Sequence, residues 1–79
     1  MASADLNIRK VVEMALLTSA SAVILAHNHP SGVALPSQAD VQATVQVRDA
    51  LKRLDIRLID HIIVADGDYV SMASSGLLR

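Results

Sequence analysis

Apolar positions recur along this chain at two different spacings. Ile8, Val11, Val12, Ala15, Leu16 and Leu17 fall at helical intervals with Arg9, Lys10 and Glu13 opposite them, which predicts an amphipathic helix over residues 5–19. Ser3 or Asp5 is expected to cap it. A small polar break at residues 18–21 leads into Ala22, Val23, Ile24, Leu25 and Ala26, an unbroken apolar run that reads as a short strand covered on both faces. Helical spacing returns at residues 38–54, where Val41, Val45, Leu51 and Leu54 mark an apolar stripe and Gln42, Gln46, Asp49, Lys52 and Arg53 face outward. Asp55 ends that helix, and residues 56–65 read as a second, longer strand. Strand, helix and strand form a crossover, so the two strands are expected to be parallel with a right-handed connection. Asp66, Gly67 and Asp68 signal a hairpin that returns residues 69–72 antiparallel, and residues 73–79 only cap the sheet. The expected fold is α/β: helix-strand-helix-strand-strand around a small three-stranded mixed sheet, in a single domain spanning residues 1–79.

Composition narrows the classes. The 79 residues are 52% hydrophobic yet contain no Phe, no Trp and one Tyr, so Val, Ile, Leu, Ala and Met must fill the core. With no cysteine there is no disulfide and no thiolate metal site, leaving His and carboxylates as the strong ligands. No apolar run approaches the roughly 20 residues of a membrane span, and the N-terminus lacks the order of a signal peptide. A cytoplasmic location is therefore expected. A formal charge of −1 gives no electrostatic reason to expect nucleic acid.

The candidate chemistry sits where the first strand meets the second helix. His27 and His29 follow the apolar run and reach one sheet edge, Pro30 and Gly32 turn the chain, and Ser37 opens the helix that carries Asp40. Two imidazoles and a carboxylate with an open position are the donor set of a catalytic zinc site, where water acquires a pKa near ~7. Ser37 is placed to donate a hydrogen bond to that water or to a developing oxyanion. Each residue also has a structural reading. Ser37 and Asp40 match a capping box, and His-x-His at a strand end can be a solvated rim. His61, in mid-strand beside Asp60, is expected to be a structural histidine far from His27.

These residues resemble a known family. His27-x-His29-Pro30 followed by Pro36-Ser37-x-x-Asp40 is similar to the metal motif of JAMM/MPN-type metalloproteases, and His-Asn-His-Pro-Ser-Gly resembles the bacterial RadC-like branch. The likeness extends from Leu16 to the Gly76-Leu77-Leu78 end, with Val33 standing where that branch often has Asp. It implies a cytidine-deaminase-like fold, Zn2+ held by His27, His29 and Asp40, Ser37 at the oxyanion, and hydrolysis of a peptide or isopeptide bond. The family's historical label is DNA repair. The alternative is a catalytically silent interaction module associated with DNA repair or mobile elements.

The resemblance also implies a catalytic Glu on a strand before the first helix, whereas this chain begins at that helix. Glu13 is the only glutamate. The seven or so residues from Glu13 to the helix end climb only about 10 Å against roughly 17–20 Å for the strand, so Glu13 stops well short of His27, and Asp5, at a more suitable height, lies at a frayed helix end. The chain is therefore expected to lack the family's N-terminal strands, to be inactive alone, and to form a homo-oligomer through an open sheet edge or helix face.

Overall fold

A computed structural model describes residues 6–29 and 32–78. The elements follow the order α1 (Ile8–Leu17), β1 (Ala22–Asn28), α2 (Gln38–Lys52), β2 (Arg57–Ala65) and β3 (Asp68–Ser71). The sheet order is β1-β2-β3, with β1 and β2 parallel and β2 and β3 antiparallel. This is the expected mixed α/β arrangement.

Helix α1 begins later than its periodicity suggests. Asn7 is the cap, its side chain accepting from the Lys10 N–H at 3.1 Å, and Ser3 and Asp5 lie outside the described residues. A short Asn side chain satisfies an orphan N–H of the first turn as well as Ser or Asp does.

Both helices contribute to one core. Ala15 of α1 clusters with Val47 and Leu51 of α2 and with Ile56 and Leu58, and Val11, Val12, Val23 and Leu25 pack around them. Val23, Leu25 and His27 alternate toward this half-buried side, while Ala22, Ile24, Ala26 and Asn28 are exposed. The expectation that β1 is covered on both faces is thus corrected for the described residues. An all-apolar strand shows no alternation by which its sequence could reveal which face is bare. On the uncovered side Ile24 is 62% exposed and Tyr69 67%.

The buried stripe of α2 also differs from the expected one. Asp40, Thr44, Val47 and Leu51 are buried, whereas Val41 and Val45 are half-buried and Leu54 is exposed. The helix turns its polar first half inward because that half faces the histidines of the sheet.

In β2 the register slips once. Val23 pairs with Leu58 but Ile24 pairs with Asp60, so Ile59 is an extra residue. The bulge keeps Leu58, His61, Ile63 and Ala65 all on the buried side. Asp66 and Gly67 both take positive φ, 46° and 78°, which closes the β2–β3 hairpin with the twist a two-residue turn requires.

Asp60 ties the C-terminal segment to the sheet. Its carboxylate accepts from the His61 N–H at 2.7 Å, the Ala73 N–H at 3.0 Å and the Ser71 hydroxyl. Burial acts to raise its pKa, but these hydrogen bonds and the neighbouring His61 outweigh it and hold the carboxyl below its ordinary value. A depressed folded pKa contributes stability that is complete above the unfolded value, near ~3.9, and is lost as pH falls through the folded value. The urea midpoint is therefore expected to drop between pH 5 and pH 2, and Asp60→Asn to flatten that drop. An unchanged pH profile in Asp60→Asn would show that the carboxylate contributes nothing.

Candidate metal centre

His27 and His29 owe their position to the parallel ladder. Leu25 lies opposite His61 and His27 opposite Ile63, and the His29 N–H continues the pairing by donating to the Val64 carbonyl at 2.7 Å. Both imidazoles thus leave the C-terminal edge of β1, one on the strand and one just past it. Their rings lie 5.4 Å apart, edge to face, with planes at 86°.

The loop after His29 brings α2 back to that edge. Gly32 donates to the His29 carbonyl at 3.3 Å and has φ of 81°. That left-handed backbone angle favours glycine; a Cβ there would stand 2.6 Å from an Asp66 carboxylate oxygen, the end of an exposed side chain that can turn aside. Pro30 and Ser31 lie outside the described residues.

Helix α2 then opens with a complete capping box. Ser37 Oγ accepts from the Asp40 N–H at 3.0 Å, and Asp40 Oδ2 accepts from the Ser37 N–H at 2.7 Å. The structural reading of this pair holds, and it coexists with the chemical one. Capping uses a lone pair of Ser37 Oγ, not its proton, and leaves the Asp40 carboxylate against the histidines.

Asp40 Oδ2 lies 3.1 Å from His29 Nε2, and Asp40 Oδ1 lies 3.8 Å from His27 Nδ1. The side chain of Asp40 is 1% exposed, that of His29 10% and that of His27 24%, so the cluster opens to solvent on the His27 side. Among the described residues, no group of three His, Cys, Asp or Glu side chains stands ready as a metal cage.

The donor chemistry nonetheless fits a cation. His29 Nδ1 is 2.8 Å from the Val33 carbonyl, an acceptor only, so Nδ1 carries a proton. Nε2 then either takes a second proton or turns a lone pair toward the carboxylate oxygen beside it. A divalent ion between them would satisfy both bases, and a ring nitrogen fixed by a backbone carbonyl is how metal-ligating histidines are usually oriented.

His61 is not where it was expected. Its ring stacks on that of His27, with centroids 6.0 Å apart and planes at 25°. Distance along β2 from its last residue misled, because the parallel pairing puts His61 opposite Leu25, one pleat below His27 on the same face. His61 is 2% exposed, and burial pushes its pKa below the ordinary value. His27 adds to that effect, while Asp40 and Asp60 partly offset it.

Thr44 is a second residue whose place the sequence did not disclose. It is fully buried, with its hydroxyl 2.7 Å from the Asp40 carbonyl and 2.7 Å from His61 Nδ1. Its spacing of four from Asp40, followed by Val47 and Leu51 on the same stripe, was the available signal.

Glu13 is exposed on α1. Leu6 lines a cavity of about 160 Å³ together with His27 and His61, so the start of α1 stands at the level of the site. Seven residues further along, Glu13 lies about 10 Å away along the helix axis.

A helix-covered mixed sheet that delivers a His-x-His strand end to the capped start of the next helix is the architecture of a JAB/MPN-type domain. The sequence matches the RadC-like JAB domain over residues 1–77, and the chain belongs to that family. It is 59% identical over 68 residues to a UPF0758 protein of Stutzerimonas stutzeri, covering 86% of this chain and 30% of that protein. It is 55% identical over 75 residues to one of Nitrosococcus oceani, covering 95% of this chain and 34% of that protein. A UPF0758 protein of Cellvibrio japonicus is 54% identical over 70 residues, covering 89% and 31% respectively. The chain thus spans about a third of the length of these curated relatives. No helix among the described residues is long and apolar enough to cross a membrane.

Proposed function

We propose that this domain carries the metal-binding part of a zinc-dependent hydrolase acting on a peptide or isopeptide bond. The observation that carries the reading is the convergence of His27, His29 and Asp40, with one imidazole nitrogen and one carboxylate oxygen facing each other at 3.1 Å. JAB domains are commonly metallohydrolases, which supports the same class. His27, His29 and Asp40 would hold the ion. Zinc bound there would supply Lewis acidity, polarising a scissile carbonyl and making water nucleophilic at neutral pH.

The protein's own groups have separate tasks. The Val33 carbonyl sets the tautomer and orientation of His29. The Ser37 N–H donates to the Asp40 carboxylate and holds it at the capped start of α2, the end of the helix that favours negative charge. Ser37, fixed as the cap, can turn its hydroxyl proton to a developing oxyanion at the open side of the cluster. Among the described residues no carboxylate stands ready as the general base, since Glu13 is exposed and lies about 10 Å along the helix from the level of the site.

The second reading is a metal-holding interaction module without turnover. A peptidase assay separates the two. This chain, loaded with zinc, is expected to be silent, because positioned acid–base help is worth typically ~10²–10⁴-fold. A longer RadC-family protein containing the same domain is expected to hydrolyse a peptide or isopeptide substrate and to lose that activity in the variant equivalent to Asp40→Ala. Turnover by this chain that vanishes in Glu13→Gln would overturn the assignment of roles.

A further inference from the structure

The deepest polar groups near the cluster are the two that the hydrolase reading leaves without a task. Thr44 is fully buried and His61 is 2% exposed. A hydroxyl has one proton. When Thr44 donates it to the Asp40 carbonyl one turn back, the bond the geometry shows at 2.7 Å, its oxygen accepts from His61 Nδ1 at 2.7 Å. His61 is then the Nδ1–H tautomer, and its Nε2 has no hydrogen-bond partner among the described residues. The same ring lies against His27.

The contacts form a single line from Asp40 to Thr44, to His61, to His27. This line links the residue bearing the carboxylate, on α2, to a histidine on β1, by way of β2. The apolar contacts of α2 do not make this connection, because Val47 and Leu51 pack with Ala15, Ile56 and Leu58 further along the helix. Burying a polar pair is costly, and an unpaired imidazole nitrogen adds to the cost. A Val and a Phe would fill much the same space without it, so the pair does not serve packing alone.

We propose that Thr44 and His61 are positioning residues for the metal site. Thr44 fixes the plane of the His61 ring through Nδ1, and His61 in turn backs the His27 ring, so that His27 and the Asp40 helix keep the separation one ion requires. The inference rests on the reading of His27, His29 and Asp40 as the donors. It assigns no ligand role to His61.

Zinc affinity of the full chain, measured by competition with a chromophoric chelator, tests it together with the visible absorption of the Co2+-substituted protein and the melting temperature without metal. Thr44→Val keeps the shape and removes the hydroxyl, and His61→Phe keeps a ring and removes Nδ1. Each is expected to weaken zinc binding ten- to a hundredfold, the usual range for a lost outer partner, and to shift the Co2+ bands. The double variant is expected to be no weaker than the worse single one, because the two residues act as a unit. Thr44→Ser restores the hydroxyl and is expected to bring affinity and spectrum back to wild type. Should Thr44→Val not fold, His61→Phe and Thr44→Ser carry the same comparison. Variants that melt earlier but bind zinc as tightly, with unchanged Co2+ bands, would overturn the positioning role alone. A wild-type chain that takes up no zinc would remove the donor reading and this inference with it.

Discussion

Asp40→Ala is expected to remove stoichiometric zinc binding and weaken the fold in one substitution, because in the proposed site one carboxylate would serve both purposes. Its Oδ2 accepts from the Ser37 N–H while standing 3.1 Å from His29 Nε2, and its Oδ1 faces His27. Losing the reciprocal half of the capping box and the favourable charge at the helix start costs about 1–2 kcal/mol. Asp40→Asn separates the roles. Its amide oxygen still accepts from Ser37, so most of the stability returns, but a neutral amide is a poor zinc donor and binding stays lost. Urea unfolding paired with metal titration reads both effects. An Asn variant that holds zinc as tightly as Asp would show that the carboxylate is a cap only.

The largest effect on stability is expected from Leu51→Ala. Leu51 is fully buried where α2 meets Ala15, Ile56 and Leu58. Truncations of this kind cost about 2–5 kcal/mol, and a domain of this size has a total stability of only about 4–12 kcal/mol at 0.05–0.15 kcal/mol per residue. Circular dichroism at 37 °C should therefore find a substantial unfolded fraction. Zinc at a hundred times its dissociation constant returns about 2.7 kcal/mol to a protein that binds it only when folded. Since Leu51 is remote from the proposed ligands, excess zinc is expected to raise the melting temperatures of the variant and of the wild type alike. A variant as stable as wild type would contradict the placement of the core.

Element order and sheet topology were legible because apolar spacing changes from helical to continuous at each boundary, and Asp66-Gly67 demands a hairpin. The convergence of the candidate site was legible for a related reason. A strand end and a helix start are the two places where short polar residues acquire fixed directions, and His27, His29, Ser37 and Asp40 occupy them. What the sequence hid depended on contacts between elements. Thr44 looks like an ordinary polar helix residue until β2 is seen to place His61 against it. The extra residue at Ile59 and the bare face of β1 are settled by strand register and by which side the helices cover, and a run of aliphatic residues encodes neither. Likewise, Asn7 caps α1 from a position that apolar spacing alone treats as the helix interior.

The most direct test is the zinc content of the purified chain after dialysis against a weak chelator, measured beside His29→Ala and Asp40→Ala. One zinc per chain in the wild type and none in either variant is the predicted result. A metal-free wild type, or equal zinc in all three, would contradict the claim that His27, His29 and Asp40 form a metal centre.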